Sequence, residues 1–334
     1  MKKIIILIIV VAIGAASLIG LEYFGDLQKE LPQTFAEEAV EGNDVLSVSF
    51  SKTKSFYSED IEVELTASDE NAVIYYTTDG NDPTTSSKKY TTPIKISSRA
   101  KVNATTVKAI AVTDDETSAI CHKSYVTGDN VDERFSEDTL VFVLSTDEYN
   151  LYDYYYGVAT EGYKRDEYLN SDEYRGGEVE YNAPANWFIG GRESERDMYV
   201  EVFTSEGEQI ISQASGARVV GGVSRAVEQK SWRLIARNMY SEGNGKFKYA
   251  FFEGATDAYG NLLTRFDRIT LRNGANDREF AGVRDELSMT LSAQAGFNIE
   301  RDGTVDAGEH RDTEEHANQA KEAAAHKDGR NNPE

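Results

Sequence analysis

The sequence has a single cysteine, Cys121, so no intramolecular disulfide framework can form. No cysteine stands directly after the apolar amino-terminal run, which excludes lipoprotein anchoring. Cys121 sits in the alternating stretch SAICHKSYV and reads as a packed small side chain. His122 beside it points to the opposite face of a strand, so the two cannot make a local nucleophile–base pair. Positive charge is also scarce: 35 basic residues against 58 acidic ones leave a net charge of -23. A field of that sign repels nucleic acid and anionic lipid, so neither is expected as a broad partner and any phosphate site must be local. Five prolines and four methionines against nineteen tyrosines point to a β-rich chain with exposed aromatic faces.

What is present begins with MKKIIILIIVVAIGAASLIGLEYFGD. Lys2 and Lys3 precede an unbroken apolar run from Ile4 to Leu21, long enough to cross a bilayer at ~1.5 Å per residue. The basic flank places the N-terminus in the cytoplasm and everything after Glu22 outside. Residues 1–21 are therefore expected to be a signal peptide or signal-anchor helix, with Ala15-Ala16-Ser17 as a cleavage option. A buried soluble helix is the alternative. Export is expected, either anchored on the outer side of the cell membrane or secreted. Residues 22–44 are polar and acidic and read as a spacer.

From Val45 to Gly128, short alternating runs such as IEVELTAS, AVIYYTTDG and TTVKAIAVTD are separated by turn residues, predicting a small antiparallel sandwich of six or seven strands. Ile61, Val63, Leu65 and Val107, Ala109, Ala111 follow period two and are expected to face its core. Asp79-Gly80-Asn81-Asp82-Pro83 is dense turn chemistry, matching no EF-hand spacing, and a turn that only shapes a hairpin is its simplest reading. The stretch IYYTTDGNDPTTSSKKY resembles the signature of the chitobiase/β-hexosaminidase C-terminal-like domain over about residues 48 to 126. That resemblance implies an immunoglobulin-like sandwich accompanying extracellular enzymes or adhesins. GDNVDERFSED breaks the periodicity, and residues 129–138 are expected to be a linker.

A second, α+β domain is expected over 139–297, opening with the strand TLVFVLST. DEYNLYDYYYGVA carries tyrosines at 149, 152, 154, 155 and 156; a sugar-stacking platform is one reading, a strand edge with a packed turn the other. MYVEVFT, GARVVGG and KSWRLIAR then read as adjacent strands. Gly221-Gly222 marks a tight turn or a place where a ligand nears the backbone, followed by Ser224 and Arg225, with Lys230 opening the next strand. A glycine turn followed by a strand lysine can grip phosphate through bare backbone N–H groups and a point charge. On spacing alone the alternative stays open: cations that only neutralise acidic neighbours.

NWFIGGRESERDMYVEVF, GARVVGGVSRAVEQKSWRLIAR, FKYAFFE and ITLRNGANDREFAGVRDELSMTLSAQAGF resemble the amino-terminal half of the CotH family of spore-coat-type kinases. The resemblance implies a partial, reduced kinase-like fold that uses ATP with Mg²⁺ or Mn²⁺ to phosphorylate a secreted or surface protein. It places Arg218, Gly221, Gly222, Ser224 and Arg225 near the nucleotide phosphates and makes Lys230 the phosphate-gripping lysine. Glu286, beside Asp285 in a helical first turn, would be salt-bridged to Lys230. Arg272, Asn273, Asp277 and Arg284 would fix the loop before that helix, or form an Arg–Asp lattice that only ties loop to helix.

After Phe297 the pattern fails, and residues 298–334 read as a polar, disordered tail. Its His310, His316 and His326 fit neither HExxH nor zinc-finger spacing. The second lobe of CotH proteins, with its metal-holding acids, has no counterpart, so no catalytic residues are assigned and little or no turnover is expected. The abrupt shift is that of a fragment or frameshift. The competing reading is a non-catalytic cell-surface binding or scaffold protein for a cell-wall polysaccharide or protein partner. A glycan hydrolase is disfavoured, because no paired-carboxylate constellation can be assigned.

Overall fold

The computed structural model describes residues 7–12, 45–135, 139–177, 179–241, 243, 245–252, 255–257, 259–273 and 291. It is mostly β. Its first strand, β1 (Leu7–Ala12), is followed by nine short strands that build the sandwich. These are β2 (Val48–Phe50), β3 (Phe56–Tyr57), β4 (Ile61–Val63), β5 (Leu65–Ala67), β6 (Val73–Thr77), β7 (Lys88–Lys89), β8 (Ile94–Ile96), β9 (Asn103–Val112) and β10 (Cys121–Thr127). One sheet has the order β3-β10-β9-β6-β7, and the pairs β2–β5 and β4–β8 supply the rest. The predicted inward residues Ile61, Val63, Leu65, Val107, Ala109 and Ala111 are all buried in one core cluster. Cys121 packs against that core, while His122 stacks on Tyr199 of the second domain, so the two do point to opposite faces. The sandwich is not wholly antiparallel, however: β3 pairs parallel with β10, Phe56 opposite Val126. A two-residue edge strand is too short to carry a register signal in its sequence.

The second domain is a sheet ordered β1-β11-β12-β13-β14-β17. Its later strands are β11 (Thr139–Ser145), β12 (Arg196–Phe203), β13 (Gln209–Val220), β14 (Ser231–Ile235), the pair β15 (Phe247–Lys248) and β16 (Arg265–Phe266), and β17 (Arg268–Leu271). Two short helices, α1 (Glu148–Tyr152) and α2 (Gly162–Leu169), sit between β11 and β12. The tyrosine-rich run forms α1 and a packed turn after it, not a strand edge, and its rings lie at the surface against one another. The helical stretch expected after Leu271, with Asp277, Arg284, Asp285 and Glu286, lies outside the described residues, as do 22–44 and 298–334.

Where a signal or anchor helix was expected, Leu7–Ala12 is an extended strand antiparallel to β11, Leu7 opposite Leu144. Ile8, Ile9, Val10 and Val11 are β-branched, and such residues suit a strand as well as an apolar helix. The pairing also covers an edge of the sheet. The remainder of that apolar run lies outside the described residues, and among those described no helix is long and apolar enough to cross a membrane.

All seven residues of β11 are buried because both faces of its sheet are covered. Leu140, Phe142 and Leu144 join the core shared with Trp232, Leu234 and Phe266. Val141 and Val143 turn the other way, into a cluster with Phe203 of β12 and Phe56, Ala104 and Val126 of the sandwich. The expected linker contributes to this shared core through Val131, which is fully buried and whose amide donates to Ser58 Oγ at 3.1 Å. The two domains therefore meet in one apolar seam.

A polar patch lies beside the seam. Glu201 Oε1 accepts from the Ser124 amide at 3.3 Å and from Gln209 Nε2 at 3.0 Å, while Oε2 has no hydrogen-bond partner among the described residues. Burial raises the Glu201 carboxyl above the usual range, and the Ser124, Lys123 and Gln209 contacts oppose that without overcoming it. Burial, helped by the nearby Lys108 charge, lowers His122 to about 4, so its ring stacks on Tyr199 uncharged, centroids 3.8 Å apart. An acid whose folded-state pKa is raised costs stability above its unfolded pKa and costs nothing below it. Glu201→Gln is thus expected to stabilise the protein at pH 8 by about 1–2 kcal/mol. Thermal unfolding from pH 8 down to pH 4 should show that gain shrinking to nothing.

Candidate functional site

The loop joining β13 to β14 is the centre of the candidate site. The strands pair up to Val220 opposite Ser231, and between them run Gly221, Gly222 and a 3-10 turn over Val223–Ala226. It is a folded loop rather than a tight turn, and the other reading of Gly-Gly, a place where a ligand nears the backbone, stays open. Gly221 has φ +116°, and a Cβ there would meet Ser224 Oγ at 2.5 Å, so glycine is required. Gly222 has open space where a side chain would be, leaving its backbone approachable. Arg225 folds back over the loop: its Nε donates to Gly221 O at 2.6 Å.

Lys230 lies beneath this loop and is 94% buried by its 6% residual exposure. Its ammonium donates to Arg225 O at 2.8 Å and Val227 O at 2.9 Å, and sits 4.1 Å from the Trp187 ring centroid. Burial lowers its pKa to about 8; the charges of Glu161 and Glu228 act in the opposite direction. Among the described residues its hydrogen-bond partners are carbonyls, not carboxylates. Asn273, at the end of β17, ties the same corner down, donating from its amide to Ser231 Oγ at 3.0 Å and from Nδ2 to Gln229 O at 2.7 Å. Gly221, Gly222, Ser224, Arg225, Lys230 and Asn273 are thus brought together. Arg272 is exposed next to Asn273.

Arg218 goes elsewhere. Its Nε and Nη2 donate to Glu195 Oε2 at 3.0 and 2.7 Å. Arg237 Nε and the Tyr240 hydroxyl donate to Glu195 Oε1 at 3.0 and 2.8 Å. Burial would raise the Glu195 carboxyl, but the hydrogen bonds from Arg237, Tyr240 and Arg218 outweigh it and hold it at about 2. Gly216 lies against this cluster, where a Cβ would meet Glu195 Oε1 at 2.6 Å. Arg218 is therefore committed to a buried carboxylate, as the neutralising alternative had it, while Lys230 is not.

The Asp79–Pro83 turn shapes a hairpin through its own side chains. Lys108, buried, donates to Gly80 O at 2.6 Å and Asp82 Oδ1 at 2.8 Å, and Asp79 Oδ1 accepts the Asn81 amide at 3.1 Å. Asn81 Oδ1 also accepts the amide of Glu148 in α1, at 3.1 Å, so the turn reaches across to the second domain. Among the described residues no group of three or more His, Cys, Asp or Glu converges to hold a metal ion. The donors present around Lys230 suit phosphate oxygens and do not suit Mg²⁺ or Mn²⁺.

Three residues of this region escaped the reading of the sequence: Trp187, Glu195 and Arg237. All lie in or beside the motifs NWFIGGRESERD and KSWRLIAR, but nothing in strand periodicity says that Glu195 and Arg237 meet. A carboxyl with a depressed folded-state pKa stabilises above its unfolded pKa, and the effect is lost as pH falls through the folded value. Glu195→Gln is expected to cost about 3 kcal/mol at pH 7. In urea unfolding, the gap to wild type should narrow as pH falls below about 4.5 toward about 2.

No curated protein and no solved structure matches the chain. The family model of the chitobiase/beta-hexosaminidase C-terminal domain matches residues 53–122, a span that includes the Asp79–Pro83 turn and its Lys108 brace. The first domain thus carries a chitobiase/beta-hexosaminidase C-terminal domain.

Proposed function

We propose that the second domain is the nucleotide-binding part of an exported, CotH-like protein, with the β13–β14 loop as its phosphate site. The observation that carries this reading is Lys230, a buried ammonium held, among the described residues, by loop carbonyls and an indole face, beneath two glycines. In a protein of net charge -23, an ammonium whose hydrogen-bond partners are carbonyls, with Glu161 and Glu228 acting on it only through their charge, would be available to a local anion. Gly221 and Gly222 would offer backbone N–H groups, with Arg225 and Lys230 supplying charge. Asn273 holds the strand end that carries Lys230. The proposal covers binding of ATP, not its turnover. Outside the cell, a secreted or surface protein would be the substrate class for a complete kinase.

A second reading is favoured by a different observation. Arg218 is taken up by Glu195, and the tyrosines of the α1 region face solvent. Both suit a non-catalytic surface module for a polysaccharide or protein partner.

Calorimetric titration with Mg-ATP separates the two. Lys230→Ala is expected to weaken nucleotide binding at least about tenfold. Wild-type affinity should fall from pH 7 to pH 9, as an ammonium with a pKa near about 8 loses its proton. Absence of any nucleotide binding by the wild type would remove the first reading and leave the second.

A further inference from the structure

The sequence DEYNLYDYYYG places five tyrosines within eight positions, and the fold leaves every one of them at the surface. Tyr155 is 71% exposed, and Tyr149, Tyr152, Tyr154 and Tyr156 are exposed as well. They sit on a rigid base. Asp147 caps α1 by accepting the Tyr149 amide at 2.8 Å. Asp153 Oδ1 accepts the amides of Tyr155 and Tyr156 at 2.9 and 2.8 Å. Gly157 closes the turn where no side chain fits: a Cβ would lie 2.6 Å from both Asp153 N and O.

Two buried polar side chains hold this turn from below. Asn186, fully buried, donates from Nδ2 to Tyr154 O at 2.9 Å and Gly157 O at 3.1 Å. Arg196, 4% exposed, donates from Nε and Nη2 to Tyr156 O at 2.9 and 2.6 Å. Its guanidinium also lies 3.5 Å from the centroid of the Tyr156 ring. The rings above are ordered by one another. Tyr149 and Tyr156 stack at 5.1 Å, Tyr154 meets Tyr155 edge-on at 4.7 Å, and Tyr155 leans on Tyr163 at 5.7 Å. Order of this kind lowers the entropy lost on binding.

The chemistry of the patch selects its occupant. The aliphatic neighbours Leu151 and Val158 are buried in the core, so the exposed apolar surface here is aromatic. Asp153, Asp166, Glu148 and Glu167 flank it, and the Tyr154 hydroxyl donates to Asp166 Oδ2 at 2.6 Å. Carboxylates and net negative charge repel nucleic acid, anionic polymers and anionic lipid. An uncharged chain that presents C–H faces to the rings and hydroxyls to the carboxylates is complementary; that is a polysaccharide. We propose that Tyr149, Tyr154 and Tyr155, with Tyr156 stacked beneath Tyr149, form a binding platform for a neutral polysaccharide of pyranose sugars. This deepens the second reading above by naming its surface and ligand, and it is independent of nucleotide binding.

The test uses the full-length chain and two soluble probes, cellohexaose and the hexamer of N-acetylglucosamine, in calorimetric titration or affinity electrophoresis. At least one probe is expected to bind. The double variant Tyr149→Ala/Tyr155→Ala should weaken it at least about tenfold, while Tyr155→Phe stays within about threefold, because the ring face carries the contact. Binding that is equally strong in the double alanine variant would overturn the platform and leave a glycan-binding module elsewhere on the chain. If neither hexasaccharide binds, the platform and the glycan form of the second reading both fail. Binding of a proline-rich peptide instead of both sugars would likewise overturn the proposal in favour of a protein partner.

Discussion

The carboxylate of Glu195 joins three segments that the chain keeps far apart: the entry to β12, the end of β13 through Arg218, and the residues after β14 through Arg237 and Tyr240. Taking a carboxylate out of water is costly, and only several donors at once can reverse its effect on the pKa. Three donors do so here, holding the group at about 2. The next residue, Arg196, works in the other direction, fixing the carbonyl of Tyr156 and capping its ring. One dipeptide at the start of one strand thus secures both the strands that flank the glycine loop and the turn that presents the tyrosines.

The sandwich is placed by a different balance. Val141, Val143 and Phe203 meet Phe56, Ala104 and Val126 in an apolar seam, so the two domains are packed together at this face. The Asn81 contact to Glu148 adds a polar brace from the chitobiase-type turn to the helix bearing Tyr149 and Tyr152. Glu195 and Glu201 are both buried, yet they answer to opposite effects. Three strong donors overcome desolvation at Glu195. At Glu201 an amide and a glutamine do not, and burial wins.

Much of the architecture was legible in the sequence, because period-two alternation reports one buried face. Ile61, Val63, Leu65, Val107, Ala109 and Ala111 were placed in the core that way, and the strands around MYVEVFT, GARVV and SWRLI follow the same rule. What alternation cannot report is a second burial. Lys108 and Glu201 lie on the polar side of their strands and are buried by the turn and by the neighbouring domain. The pairing of Arg218 with Glu195 was equally hidden, since it depends on residues twenty or more positions apart meeting across the sheet. The Gly221-Gly222-Arg225-Lys230 grouping was visible as a local motif; its carbonyl-held ammonium was not. The tyrosines were visible as a run, and their exposure follows from the helix and turn that replace the expected strand edge. The amino-terminal run shows the limit of composition: Ile and Val satisfy helix and strand alike, and β1 pairs where a helix was expected.

The most direct measurement is amide hydrogen exchange by mass spectrometry on wild type and Arg196→Ala. The account predicts a selective loss of protection in residues 153–157, whose turn Arg196 holds through the Tyr156 carbonyl, with the β13–β14 strands unchanged. Equal protection of that turn in both proteins would contradict the claim that this buried residue builds the tyrosine surface.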